Sequence, residues 1–358
     1  MKLVLTGGFL GSGKTTAIAG ACRQLIDEQV KVAVITNDQG EQQVDSAFMD
    51  SLGIPFREVG GGCFCCKYSQ LDSHIQSLIA DQQPEIIFAE SVGSCTDLVA
   101  TIARPLATFQ PDLDIVISVF ADAFLLLALM EGKASFLNDN VRYIYKKQIE
   151  EADILVVNKT DQVSLAQLDI VETAIYIEFP GKIILRQNSN DPGDIRTWLE
   201  AIEDFGLIVP RKSISIDYDL YADGEAQLAW LDHYISIQSD RPDTIDIGFA
   251  IASEINSAVK KQEMVIGHLK FIIETGQWKQ KLSFTTSGRD QYVDHFAPGS
   301  NQCGVLINAR VHTDPSRLKK LVDEVLVKMA DKYDCTIVPG KSSSFMPGYP
   351  VPEHRIKD

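Results

Sequence analysis

The stretch Gly7-Gly-Phe-Leu-Gly-Ser-Gly-Lys-Thr-Thr16 constrains this chain more than any other. Lys2–Thr6 before it reads as a short buried strand, and the apolar spacing from Ala17 to Ile26 after it as a helix. Gly8-x-x-x-x-Gly13-Lys14-Thr15 is therefore the P-loop pattern in the strand–loop–helix setting it requires. Glycines let backbone N–H groups crowd around phosphate oxygens, and the helix N-terminus adds positive potential. Gly11, Ser12, Gly13, Lys14, Thr15 and Thr16 are the phosphate-binding candidates. Lys14 reaches the β- and γ-phosphates and is also a catalytic candidate. The Thr15 hydroxyl suits Mg2+, and Thr16 a further phosphate contact.

After this start, apolar strands alternate with helical spacings as far as Ile195–Glu203, which implies a parallel sheet covered on both faces. In such sheets ligands bind beyond the carboxyl ends of the strands. Four segments lie at such ends: the P-loop, Asn37–Gly40, Glu90–Gly93 and Asn158–Asp161. Asn158-Lys159-Thr160-Asp161 matches the Asn-Lys-x-Asp guanine pattern. Its aspartate accepts from guanine N1–H and the exocyclic amine, a donor pair adenine lacks, so adenine would leave the carboxylate unsatisfied. Glu90 holds a Walker-B-like place, suited to holding Mg2+ through water or orienting the attacking water. Asp38 and Glu41 lie on a loop able to approach a γ-phosphate, ordered in one nucleotide state and released in the other. Lys14, Glu90 and Asp38 are the catalytic candidates.

Three of the seven cysteines are packed into Cys63-Phe-Cys65-Cys66. Thiolates suit Zn2+ or Cu(I), and zinc usually takes four ligands. Three thiolates leave one position for water, Glu41, another chain or a partner, and an incomplete shell favours a transferable metal. Small buried cysteines or a redox pair are the alternatives. Cys22, Cys95, Cys303 and Cys335 are isolated in sequence and read as core residues.

Near Gly206–Arg211 the pattern changes. The spacing predicts strand, helix, strand, strand, helix, strand from Leu228 to Val338, a split βαβ (ferredoxin-like) sandwich, once the strand Lys279–Thr286 is set aside and Trp278–Gln302 is taken as an inserted hairpin and loop. The expected organisation is a P-loop NTPase domain with a mostly parallel sheet over 1–208, a smaller α+β domain over 209–340 and an irregular tail over 341–358. His233, His268, His295 and His312 together suggest a second metal site. The length of 358 residues fits two ordinary domains. A net charge of −16 argues against a nucleic-acid footprint and against an anionic membrane surface. Met1 runs straight into the first strand, and the most apolar run, Val116–Met130, is broken by Asp122. A cytoplasmic location is expected, and a homo-oligomer is compatible with the sequence.

Taken in order, Thr6–Thr16, Gly62-Cys-Phe-Cys-Cys66, Glu90-Ser-Val-Gly93 and Asn158–Asp161 resemble the CobW-like GTPases, which belong with the GTPases that insert nickel into urease and hydrogenase. The resemblance covers about residues 1–205. It implies slow, metal-responsive GTP hydrolysis, with GTP/GDP and Mg2+ bound, coupled to delivery of zinc or of cobalt or a corrinoid to a client metalloprotein. It also implies that Cys63, Cys65 and Cys66 carry the metal, that Lys14 and Thr15 bind phosphates and Mg2+, and that Asp161 binds guanine. Asn37-Asp-Gln-Gly40 departs from the family's Asn-Glu-x-Gly, and no histidine-rich tract is present in the second domain. A small-molecule kinase and a non-enzymatic metal buffer are the competing readings.

Overall fold

The computed structural model of the chain describes residues 1–40, 44–132, 139–206, 211–276, 278–285 and 297–358. They form two compact units: Met1–Gln39 with Leu52–Gly224 and Tyr349–Asp358, and Gly40–Ser51 with Glu225–Gly348. This differs from a division at residue 208. Residues 211–224 and the end of the chain stay with the first unit, and a segment just after the second strand joins the other unit.

The chain runs β1 (Lys2–Gly8), α1 (Lys14–Asp27) and β2 (Val32–Asn37), then gives α2 (Val44–Ser51) to the second unit. It resumes with β3 (Phe56–Val59), a 3-10 turn (Phe64–Lys67), α3 (Tyr68–Gln82) and β4 (Ile86–Glu90). A π-turn (Val99–Ala103) leads into α4 (Arg104–Phe109), followed by β5 (Asp114–Asp122), α5 (Ala123–Met130), α6 (Asp139–Glu151) and β6 (Ile154–Asn158). A 3-10 turn (Thr160–Gln162), α7 (Leu165–Glu178), β7 (Ile183–Gln187), α8 (Pro192–Asp204) and α9 (Tyr218–Glu225) close the series. The seven strands form one sheet in the order β3-β2-β4-β1-β5-β6-β7, parallel throughout.

The central strands are continuous apolar runs because both faces are covered. Leu3, Val4, Ile87, Phe88, Val116 and Val156 are all fully buried. Trp198 of α8 packs edge-on to Phe120 and donates its indole N–H to Ser118 Oγ at 2.9 Å, fixing that helix on the sheet. The apolar run at Val116–Met130 is divided as its aspartate suggests: Asp122 ends β5 and caps α5, accepting from the N–H groups of Phe124 and Leu125 at 2.9 and 3.1 Å. No helix among the described residues is long and apolar enough to cross a membrane. The π-turn Val99–Ala103 lies just ahead of Pro105, whose missing N–H cannot continue the regular ladder.

The second unit contains β8 (Leu228–Gln238), α10 (Thr244–Lys261), β9 (Ile266–Glu274), β10 (Lys279–Phe284), β11 (Gln302–His312), α11 (Pro315–Tyr333) and β12 (Thr336–Phe345). Its antiparallel order is β10-β9-β11-β8-β12. Without β10 this is the split βαβ arrangement, and β10 is an added edge strand on β9. Of the residues expected to form an irregular tail, 341–345 extend β12 to Phe345, across a register shift between Pro339 and Ser342, and 346–358 carry no helix or strand. Ile251, Ile255, Leu318 and Val322 of α10 and α11 are buried with Leu231, Ile235, Phe271 and Ile307 of the sheet in one core.

The residues alternating with that core set on β8 and β11 include Trp230, Asp232, Asn308 and Arg310, all buried. Arg310 donates to Asp232 Oδ1 at 2.8 Å, and its guanidinium lies 4.0 Å from the centre of the Trp230 ring. Asn308 also donates to Asp232 Oδ1, and its carbonyl oxygen accepts the N–H of Val44, the first residue of α2. Asp45 pairs with Lys270 and Lys281. Burial by itself would raise the Asp45 carboxyl; the two ammonium groups reverse this and hold it well below the usual carboxylate range. The second metal site suggested by the histidines gains no support among the described residues. His233 and His268 are buried in separate strands, His312 meets Gln227, and His295 lies outside the described residues.

Candidate functional site

The site is built on the carboxyl edge of the first unit's sheet. At the end of β1 the loop passes through Gly11 and Gly13, both at positive φ. At Gly13, with φ +96, a Cβ would lie 2.2 Å from Asn158 Nδ2, so any other side chain would push the guanine-type segment off the loop. No side chain caps the N-terminus of α1. Its first N–H groups are therefore available to an anion. Lys14 is buried and folds across the loop, donating to the carbonyls of Gly8 and Phe9 at 2.6 and 3.3 Å. Thr15 donates its hydroxyl to Glu90 Oε1 at 2.8 Å, joining the P-loop to the end of β4, while Thr16 is exposed.

Asn158 is buried at the end of β6. It donates to Ser12 O at 2.7 Å and accepts from the N–H and hydroxyl of Ser189 at 3.1 and 2.9 Å. Lys159, at φ +61, pairs with buried Asp122 at 2.8 Å, and Asp161 is exposed on the following turn. These contacts hold the Asn158–Asp161 segment against the phosphate loop and leave the Asp161 carboxylate outward. Sequence reasoning missed Asp122 and Ser189; Asp122 is the last residue of β5 and Ser189 lies in the turn after β7, both at this same edge.

The thiol segment hangs from the ends of β2 and β3. Asn37 donates to the carbonyls of Val59 and Gly62 and accepts from the N–H of Phe64 at 2.9 Å. Asp38, half-buried, donates its backbone N–H to Val59 O, and Glu41 lies outside the described residues. Cys63, Cys65 and Cys66 converge, with Sγ separations of 2.9 Å (63–65), 3.3 Å (63–66) and 3.7 Å (65–66). Among the described residues this is the one group of three metal-ligating side chains drawn together. A tetrahedral zinc with Zn–S bonds of about 2.3 Å has S···S edges of about 3.8 Å, so the set fits a soft ion after opening by less than about 1 Å. Hydrogen bonds from Cys65 and Cys66 hold the Cys63 thiol well below its usual range, and the bond to Cys63 pushes Cys66 up to about 11. One thiolate is thus stabilised by its protonated neighbours.

Cys95, expected to be an isolated core residue, is buried. It sits in the loop leaving β4, braced by α6: Gln148 donates to the carbonyls of Gly93 and Cys95 at 3.0 and 2.9 Å, and Glu151 accepts from Thr96 and from the N–H of Val99. Gly93 backs onto the P-loop, where a Cβ would meet Leu10 Cδ2 at 2.6 Å. The end of the chain covers the same region. Val351 N–H donates to Cys66 Sγ at 3.2 Å, Glu353 accepts from Ser69, and Arg355 pairs with buried Asp97, which also accepts from Tyr218.

Burial pushes Glu151 up to about 7 from 4.5. The native state therefore keeps a proton that the unfolded chain releases. The associated stability is full below about pH 4.5 and is lost as pH rises through about 7, a difference of about 3 kcal/mol. Glu151→Gln is expected to flatten this dependence. Thermal unfolding of both proteins between pH 5 and 8 should show the wild type losing stability relative to the variant; parallel curves would refute the assignment.

The profile of the CobW/HypB/UreG nucleotide-binding domain matches residues 2–177. Among curated proteins, the Escherichia coli zinc chaperone YeiR is 32% identical over 162 residues, covering 44% of this chain and 46% of YeiR. The E. coli zinc chaperone YjiA is 29% identical over 168 residues, covering 45% and 50%. The zinc-regulated GTPase metalloprotein activator 1 of Schizosaccharomyces pombe is 28% identical over 196 residues, covering 51% and 45%. The chain spans about half the length of these relatives. Among solved structures, nickel-bound HypB from Helicobacter pylori aligns with TM-score 0.43 at 15% identity, over 60% of this chain and 91% of that one. The phosphate loop, the Asn158–Asp161 segment and the thiol segment all fall within the matched span, and through residues 2–177 the chain carries a nucleotide-binding domain of the CobW/HypB/UreG type.

Proposed function

We propose that this protein is a GTP-hydrolysing metallochaperone that carries a thiolate-bound metal, zinc or cobalt, to a client metalloprotein. The carrying observation is that the thiol segment and the phosphate loop share one sheet edge, with Asn37 fastening the first and the Thr15–Glu90 hydrogen bond closing the second. The relatives described as zinc chaperones favour zinc as the cargo.

On GTP binding, Lys14 exchanges the Gly8 and Phe9 carbonyls for β- and γ-phosphate oxygens, and the N-terminus of α1 supplies N–H donors. The Thr15 hydroxyl leaves Glu90 and faces the nucleotide's metal. Mg2+, when bound, neutralises phosphate charge. Glu90, released from Thr15, accepts a hydrogen bond from the attacking water and orients it, with Asp38 the second candidate for this task. Asp161 accepts from the guanine N1–H and amine. The same exchange at Thr15 loosens the β4 end from which the Cys95 loop departs.

Coupling requires a difference in metal affinity between nucleotide states, since equal affinities would shift nothing. Anaerobic zinc titration of the reduced protein, with GDP or a non-hydrolysable GTP analogue, is expected to give affinities differing by about 10-fold or more. Cys65→Ala should abolish tight binding in both states. Equal affinities would overturn the coupling. Phosphate release without an acceptor is the accompanying expectation, and acceptor-dependent phosphorylation would indicate a kinase.

A further inference from the structure

We infer that Asp122 is a positioning residue for base recognition: its carboxylate holds Lys159 in the left-handed backbone conformation that turns β6 into the Asp161 segment. This rests on the proposed reading of Asn158–Asp161 as the guanine-binding segment.

Lys159 has φ 61 and ψ 40. For a residue with a Cβ, that conformation is disfavoured about 10-fold in population. Six residues other than glycine have positive φ among the described residues. Gln29, Gln83, Glu263 and Asp334 lie at or just past the carboxyl ends of helices, where the left-handed form is an ordinary stop. Asp97 is tied by its ion pair to Arg355. Lys159 ends no helix; it leaves a strand and opens a turn. Its carbonyl accepts the Gln162 N–H at 3.0 Å, closing the 3-10 turn that carries Asp161. The direction in which Asp161 leaves the sheet therefore follows from the angles at Lys159.

Asp122 is placed to set those angles. It is the register partner of Asn158 at the ends of the neighbouring parallel strands β5 and β6. At 1% exposure it divides its two oxygens between two tasks. Oδ1 accepts the N–H groups of Phe124 and Leu125, and Oδ2 takes the Lys159 ammonium at 2.8 Å. The first turn of α5 thus fixes the carboxylate, and the carboxylate fixes the lysine. A pair shielded from water is stronger than one on the surface. Capping alone does not call for this arrangement, because an uncharged acceptor such as asparagine caps a helix as well. The charge on Asp122 answers Lys159. Upstream, Asn158 is already anchored to Ser12 and Ser189, so Lys159 is the point at which the segment would otherwise pivot. Held there, the turn meets the base in its binding shape. Without the hold, binding must select a minority conformation, and apparent affinity falls by that fraction.

The test is calorimetry on the nucleotide-free full chain with GDP, ADP and inorganic tripolyphosphate. Asp122→Asn keeps an acceptor for α5 and removes the charge. GDP affinity is expected to fall about 10-fold, with tripolyphosphate affinity unchanged because the phosphate loop is untouched. Adding Lys159→Gly to Asp122→Asn should bring GDP affinity back to within about 3-fold of the wild type, since glycine enters the left-handed region without a Cβ penalty. An unchanged GDP affinity in Asp122→Asn would overturn the inference. So would a loss shared equally by tripolyphosphate, or a loss that Lys159→Gly does not recover. Equal affinities for GDP and ADP in the wild type, with the loss and recovery intact, would refute the guanine reading and leave Asp122 as the residue that positions the turn.

Discussion

Asp232→Ala is expected to destabilise the second unit by about 3–5 kcal/mol. The reason lies in what is left behind. Arg310 is fully buried, and its Nη1 is shared between Asp232 and the carbonyls of Leu231 and Ala309. The carbonyls and the Trp230 ring offer dipole and quadrupole, and among the described residues Asp232 is the carboxylate paired with it. Without that carboxylate a guanidinium that cannot give up its proton stays inside the sheet face. Asn308 loses one of its acceptors in the same step and keeps the Ile307 carbonyl. Urea unfolding followed by circular dichroism should show the transition of this unit moving down by roughly 1–2 M. Removing both charges by Asp232→Leu with Arg310→Met should recover much of the loss, because a well-packed apolar pair carries no uncompensated charge. A midpoint unchanged in Asp232→Ala would mean that Arg310 reaches solvent, contrary to its burial.

Asp161→Asn is expected to convert the base preference of the first unit from guanine towards xanthine. In the proposed role the aspartate accepts two hydrogen bonds from guanine, at N1–H and at the exocyclic amine. An asparagine presents one acceptor and one donor, which matches the N1–H and O2 of xanthine and opposes the guanine amine. Two hydrogen bonds to a charged group amount to about 3 kcal/mol or more, so GTP affinity should fall by about 100-fold or more. Asp161 is exposed, so the fold should be untouched. Competitive binding of GTP, XTP and ATP is the measurement. An unchanged preference for GTP would move the base-reading role away from Asp161, and equal affinities for GTP and ATP in the wild type would remove guanine selectivity altogether.

Much of the first unit was legible because its signals are local. Gly8 to Thr15 specify a turn by residue type, the strands are uninterrupted apolar runs, and each motif falls at a strand end where a parallel sheet gathers its ligands. The split βαβ pattern was legible for the same reason, since periodicity survives without knowledge of partners. What escaped depends on contacts between distant residues. The terminal segment has too little apolar periodicity to be placed, yet His354 lies edge-on to Tyr68 and Ile356 donates to Ala100 O. α2 has a helical pattern but no local sign that its Asp45 answers Lys270 and Lys281.

The exchange of segments has a consequence for modularity. Helix α2 is coded early in the sequence but completes the second unit, and Tyr349–Asp358, coded last, completes the first. A gene fragment ending near residue 208 would strip Asp97 of Arg355 and Cys66 of its Val351 donor. The remaining fragment would begin life with Lys270, Lys281 and Asn308 lacking the helix that answers them. Recombination or truncation at the apparent seam therefore yields two incomplete bodies. The chain is inherited as one indivisible block, although it folds as two.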